Sequence, residues 1–372
     1  MKILYVATVR SHIGQFHMPI ITALKEAGHE VHAAYKDNSA DKKGLDLSII
    51  DKVFEIPFER SPFSKSNTKA YKELKRIIET EKYDIIHCHT PVGGVVTRLA
   101  ARKLRKCGTK VFYTAHGFHF YKGATAKNWM LFFPVEKLLS KYTDVLVTIN
   151  EEDFELANSK KFKAGKIVKL NGVGVDLSKF SAATEEEKAE LRRKHGYAPD
   201  DFIMLYAADL SQRKNQTLLF NAISAIANDC PGIKLLLPGQ PILKKQYESL
   251  CKELKIDNMV ELMGYRRDID ELLGICDVVV SSSRQEGLPL NLIEAAARGK
   301  YIISTDVRGS RDVVKQAGYG VLVHLNDANA MAAEIKKAYN GEYSGSRDIS
   351  RVSVYDNRII VKQLMDLYFS DC

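Results

Sequence analysis

The chain has 372 residues, 45% apolar and 27% charged, with a formal charge of +9. That length exceeds one ordinary core, so two domains are expected, and the balance excludes disordered and fibrous classes. The charge is uneven. Residues 1–175 hold 29 Lys and Arg against 18 Asp and Glu (+11), whereas residues 176–372 hold 26 against 28 (−2), which suggests that the first half meets an anionic surface or ligand.

In chain order, KILYVATV, HEVHAAY, KVFEIPF, DIIHCH, KVFYTAH and DVLVTI are predicted strands of the first half. IMLYAADL, IKLLLPG, MVELMGY, DVVVSSS, YIISTD and GVLVHL are predicted strands of the second. Helical stretches such as HMPIITALKEAG, YKELKRIIETEK and GGVVTRLAARKLRKCG separate them. Such alternation predicts an α/β protein of two doubly wound parallel sheets, covered on both faces, with ligands beyond the carboxyl ends of the strands in an interdomain cleft. The glycine-rich, then acidic stretch 171–196 is the expected join. The expected domains are therefore 1–170 and 171–352, and the helical tail at about 353–372 is expected to pack back on the first. The opening MKILYVATVRSH reads as a strand rather than a secretory leader, and apolar runs such as MLFFPV (130–135) are far shorter than the ~20 residues of a spanning helix. Six cysteines (88, 107, 230, 251, 276 and 372) form no C-x-x-C pair, so a disulfide scaffold or zinc site is not expected. A reducing cytoplasm is the default compartment.

The stretch RQEGLPLNLIEAAARG (284–299) follows the carboxyl end of predicted strand DVVVSSS. Gly287 loosens the turn, Pro289 suits a first helical turn, and LNLIEAAAR runs to Gly299, a good residue for ending a helix. Glu286 then lies in the loop and Glu294 inside the helix, so the two carboxylates reach different parts of one extended ligand. The free N–H groups at that helix start favour a phosphate.

These residues resemble the Glu-x7-Glu signature of the retaining glycosyltransferases of family 4, which have the GT-B fold. The resemblance spans essentially the whole chain, through ADLSQRKNQ (208–216), LPGQP (237–241), NGVGVD (171–176), TAHGFHFYKGA (114–124) and SHIGQFHMP (11–19). The last two are similar to bacterial enzymes of exopolysaccharide, capsule and O-antigen synthesis. The resemblance implies that Glu286 faces the donor sugar, that Glu294 binds the nucleotide ribose and that Lys214 binds the diphosphate. It places Gly239 at a turn near the nucleotide, and His116 near the donor sugar or the reacting carbon. Gly14, in the expected first strand–helix loop SHIGQFH, Arg266, Gly287, Leu288 and Pro289 complete the expected donor contacts. This chain has Ala-Asp-Leu (208–210) where the family has Gly-Arg-Leu, so Arg213 is the candidate to replace the cation missing at Asp209.

The implied reaction is retaining hexosyl transfer from a nucleotide sugar, with UDP as the expected nucleotide, to a glycan or polyprenyl-diphosphate-linked acceptor. An epimerase of the same fold and a non-catalytic sugar-nucleotide-binding subunit are the alternatives; a panel of UDP-sugars separates them by transfer, interconversion or binding alone. Asp268-Ile-Asp270 spells D-x-D but opens a helix, where acidic residues suit the dipole and are expected to cap it, so no metal and no other cofactor is expected. The absence of G-x-G-x-x-G argues against a dinucleotide. Nucleic acid is not an expected partner. The basic segments TRLAARKLRK and KNWMLFFPVEKLLSKY (127–142) lead to an expectation of peripheral attachment at the inner face of the membrane.

Overall fold

The computed structural model describes residues 1–40, 44–182 and 184–370. The chain forms two compact units: Met1–Gly174 with Asn357–Cys372, and Val175–Asp356. The first unit holds strands β1 (Lys2–Val9), β2 (Glu30–Lys36), β3 (Lys52–Glu55), β4 (Ile85–His89), β5 (Lys110–Ala115), β6 (Val145–Thr148) and β7 (Lys166–Lys169). All pair in parallel, in the order β3-β2-β1-β4-β5-β6-β7. The second holds β8 (Phe202–Leu205), β9 (Ile233–Pro238), β10 (Val260–Gly264), β11 (Val278–Ser281), β12 (Tyr301–Thr305) and β13 (Gly320–Val323). These are also parallel, ordered β10-β9-β8-β11-β12-β13.

Central strands such as β4, β8, β11 and β12 are buried at every residue, as parallel strands covered by helices on both faces must be. Each sheet accordingly separates two apolar clusters. In the first unit one of them includes Leu364 and Tyr368 of the final helix, Asn357–Phe369. The chain leaves the first unit at Gly174 and returns at Asn357. A Cβ on Gly174, whose φ is +85°, would lie 2.5 Å from the Asn357 Cα, so the two passages touch backbone to backbone.

Five points differ from the sequence reading. Strand β7 was not expected: KIVK is short, with an exposed lysine at each end, and lies on the sheet edge. Stretch 171–196 is not all linker. Thr184 caps helix Glu185–His195, and buried Arg192 binds Asp277 at 2.8 Å, fixing that helix in the second unit; residue 183 lies outside the described residues. TRLAARKLRK is not one helix. Helix Pro91–Ala101 stops, and a separate turn, Leu104–Cys107, follows because Arg105 binds Asp144 (2.5 and 2.9 Å) and the Lys141 carbonyl (2.7 Å). Gly14 lies inside helix Arg10–Phe16 rather than in a loop, where a Cβ would press on Leu45 and Leu47 at 3.0–3.1 Å. Asp268 precedes helix Ile269–Ile275 without capping it through its side chain. Five cysteines are free thiols; Cys372 lies outside the described residues, as do 371–372 of the expected tail helix.

Helix Ala126–Ser140 is anchored by one buried ion pair. Arg98 donates to Glu136 at 2.8 Å, stacks 3.9 Å over the Tyr113 ring, and Tyr113 donates to Glu136 at 3.1 Å. Gly94 leaves room for that ring, since a Cβ there would meet it at 2.5 Å. Glu136→Gln leaves the guanidinium charged and uncompensated, which should cost about 3–5 kcal/mol. Trp129, the one tryptophan and part of the same helix, reports urea unfolding of this unit; a loss below about 1 kcal/mol would mean that the pair contributes no more than a surface one.

Candidate active site at the strand-order reversals

Parallel sheets of this type bind ligands where the strand order reverses, because the loops on either side diverge and leave strand ends open. The reversals fall between β1 and β4 and between β8 and β11. In the second unit, the loops after β8 and β11 carry Lys214 and Glu286.

The two side chains meet. Lys214 Nζ donates to Glu286 Oε1 at 2.6 Å, Arg213 Nη1 approaches Oε2 at 3.2 Å, and Ser283 Oγ donates to Oε1 at 2.6 Å. The Lys214 side chain is 13% exposed and that of Glu286 8%, whereas Arg213 is 54% exposed. Burial pushes the Glu286 carboxyl up, but the charges of Lys214 and Arg213 and the hydrogen bonds from Lys214 and Ser283 outweigh it and hold the pKa below the ordinary carboxylate value.

The supports for this pair were not legible as motifs. Tyr206 and Ser282 hydroxyls both donate to the Lys214 carbonyl, at 3.1 and 2.9 Å, and Tyr206 also lies 2.7 Å from Ser283 Oγ. Asn215 follows in the left-handed region at φ +54°, fixed by its bonds to Ser282 and Arg284. Holding a non-glycine residue there costs of order 1–3 kcal/mol, and the loop tolerates it. Arg308 Nε donates to the Glu286 carbonyl at 3.0 Å, and Gly309 lets Gly287 approach, since a Cβ would lie 2.1 Å from its carbonyl oxygen. The available signal was the run Ser281–Ser283, three hydroxyls at the end of an apolar strand, all buried.

Pro289 is the residue before helix Leu290–Ala297, and Leu288 packs into the apolar cluster beneath. Gly239 is needed sterically, because a Cβ would lie 2.0 Å from the Ala208 carbonyl oxygen. Asp209, standing where a cation was expected, accepts the Gln240 N–H at 3.1 Å and so ties the β8 and β9 loops together. Arg266 donates to Asp268 at 2.8 Å, not to the Lys214–Glu286 group. Asp270 pairs with Arg298. The Glu294 carboxyl makes no hydrogen bond or ion pair among the described residues; burial, then the Asp270 charge, raises its pKa to about 7.

In the first unit, His12 and His17 follow β1, His89 ends β4, and His116 follows β5. His116 Nε2 lies 3.2 Å from His12 Nε2 and 3.3 Å from His89 Nδ1. Burial lowers the His116 pKa to about 4 and holds His12, His17 and His89 well below the ordinary imidazole value, so all four rings are neutral. Thr90, at φ +66°, joins β1 to β4 through contacts of 3.1 and 2.6 Å with Thr8.

Comparison with known proteins defines the class. A family described as Glycosyl transferases group 1 matches residues 187–352, and one described as Glycosyl transferase 4-like matches 2–150. EpsD of Bacillus subtilis (strain 168), named as a glycosyltransferase, is 43% identical over 91% of this chain and 87% of its own. An Escherichia coli enzyme named UDP-Gal:alpha-D-GlcNAc-diphosphoundecaprenol alpha-1,3-galactosyltransferase is 28% identical over 70% of this chain and 68% of its own. Anabaena HepE, in a structure with UDP and glucose, superimposes with TM-score 0.77 at 19% identity, covering 100% of both chains. The protein belongs to this glycosyltransferase family and is a glycosyltransferase of GT-B fold.

The Glu294 shift gives a pH test. A carboxyl raised from 4.5 to about 7 on folding contributes stability that is full below its unfolded pKa and is lost as pH rises through about 7. The thermal midpoint of wild type should therefore fall across that window, and Glu294→Gln should flatten the fall. Parallel curves for the two proteins would show that Glu294 titrates normally.

Proposed function

We propose that the protein transfers a hexose, with retention, from a UDP-sugar held by the Val175–Asp356 unit to a glycan or polyprenyl-diphosphate-linked acceptor taken by the other unit, in bacterial surface-polysaccharide synthesis. The observation that carries this reading is the buried Lys214–Glu286 contact beside an unpartnered Glu294 at the β8/β11 reversal. Lys214 Nζ has three N–H donors, of which Glu286 takes one; the other two suit oxygens of a departing diphosphate. Arg213 adds an exposed second cation, and the start of helix Leu290–Ala297 adds backbone N–H groups. Glu294 offers a bare carboxyl to a ribose diol.

Glu286 is a poor nucleophile and a poor acid in this setting, because its oxygens already accept from two cations and a hydroxyl. Its work is to orient sugar hydroxyls and fix Lys214. The sugar–diphosphate bond then breaks as the acceptor oxygen bonds the same carbon from the same face, and the acceptor proton passes to the leaving diphosphate oxygen. His116 is the expected partner of the donor sugar. The names of the Escherichia coli enzyme and the UDP content of the Anabaena structure support the donor and acceptor classes.

Lys214→Ala and Glu286→Gln should each lower UDP release from the preferred donor by at least ~100-fold. Excess EDTA should not lower the wild-type rate, because the cations are side chains. A variant that keeps more than about half the rate refutes its assigned role, and a rate lost to EDTA and restored by Mg²⁺ refutes the metal-free reading.

A second surface bears on the acceptor. Along helix Ala126–Ser140 and its end, Lys127, Met130, Leu131, Pro134, Val135, Leu138 and Lys141 form one exposed stripe, with Met130 71% and Leu138 59% exposed. An apolar stripe with a lysine at each end suits the interface of an anionic bilayer. Among the described residues no helix is long and apolar enough to cross one. Exposed Lys103 and Lys106 can each add ~1 kcal/mol near such a surface, whereas Arg105 is held by Asp144. Co-sedimentation with anionic vesicles should weaken with salt, with Met130→Asp/Leu138→Asp and with Lys103→Glu/Lys106→Glu. Equal recovery of all three proteins would rule out this surface.

A further inference from the structure

His12, His17, His89 and His116 each offer one ring nitrogen to a common volume, and the four atoms all lie within 4.8 Å of one another. They come from three separate strand-end segments of one compact unit, so no spacing motif announces them. As a set of hydrogen-bonding groups the arrangement is unsatisfactory. An imidazole nitrogen has one in-plane proton or one lone pair, yet His116 Nε2 faces two other ring nitrogens at 3.2 and 3.3 Å. It can satisfy one of them. His17 Nε2 and His89 Nε2 are buried with no hydrogen-bond partner at all.

A cation that accepts lone pairs takes one nitrogen from each ring, so that facing ring nitrogens no longer need a shared proton. Tetrahedral Zn²⁺ with bonds of ~2.0–2.1 Å to imidazole requires nitrogen–nitrogen separations of about 3.3–3.4 Å, close to the two measured here. Neutral imidazole is also the form that binds such ions. Ring packing holds the histidines in place: His17 and His89 stack at 3.8 Å, and His12 meets His116 edge-on at 4.6 Å. A cavity of about 30 Å³ lined by His17, His87, His89 and Thr114, among others, has room for the single water that could take an outer ring N–H. Among the described residues the other grouping of this kind, His195, Asp268 and Glu271, differs, because Arg266 and Lys194 already neutralise its carboxylates.

We infer that His12, His17, His89 and His116 form a binding site for one first-row transition-metal ion of imidazole preference, Zn²⁺ above all. Occupied, it ties the segments after β1, β4 and β5 together at the strand-order reversal of the first unit. It also removes the His116 lone pair from the transfer reaction, so Zn²⁺ inhibits; this last consequence alone rests on the role proposed for His116.

Untagged, metal-stripped protein titrated with Co²⁺ tests the site without reference to activity. One Co²⁺ per chain should bind with the intense visible bands of a tetrahedral nitrogen set, and Zn²⁺ should displace it and raise the thermal midpoint. His12→Asn and His17→Ala, checked for an unchanged far-ultraviolet spectrum, should each weaken Zn²⁺ binding at least ~10-fold, the loss typical even of an outer-shell partner. His195→Ala should bind as wild type. Absence of the visible bands, or affinity that survives both first-unit variants, overturns the assignment, as does a loss seen with His195→Ala alone. Zinc that binds at the four histidines without inhibiting would leave the site standing and refute the role of His116.

Discussion

Burying the Glu286 carboxylate without partners would cost several kcal/mol, and the loops after β8 and β11 are built around meeting that cost. Lys214 and Arg213 supply the charge, and Ser283 supplies a hydroxyl. Tyr206 and Ser282 hold the Lys214 backbone so that its ammonium reaches the carboxylate. Removing Lys214 therefore damages two things at once: the cation proposed to meet a phosphate, and the pocket that keeps the carboxylate ionised. The ion pair also explains why a cation can wait in a largely buried site before any ligand arrives.

The parallel sheets decide where such a group can exist. Both reversals of strand order gather polar side chains at open strand ends, but the two gatherings have opposite character. The second unit collects charge, two cations around one carboxylate. The first collects neutral imidazoles whose nitrogens face one another. Only the charged group is self-sufficient; the imidazoles leave buried nitrogens without partners.

The sheets were legible because buried parallel strands are nearly continuous apolar runs, as β4, β8, β11 and β12 show. KIVK does not, since an edge strand with lysine ends resembles a loop. The Glu286–Glu294 stretch could be placed on a loop and a helix from Pro289 and Gly299 alone. Its contact with Lys214 could not, because that pairing joins residues 72 apart through two loops whose approach is set by Ser282, Ser283 and Tyr206. The histidine cluster was hidden for the same reason. Asp209 shows the opposite case: the sequence marked it as a missing cation, and the structure gives it a different task, holding the Gln240 N–H beside Gly239.

A crystal structure with UDP bears most directly on the central claim, that the β8/β11 reversal is the donor site. Lys214 Nζ should lie within hydrogen-bond distance of a phosphate oxygen while still touching Glu286, with the ribose hydroxyls on the Glu294 carboxylate. UDP bound elsewhere, with the Lys214–Glu286 contact undisturbed and Glu294 still unpartnered, would contradict it.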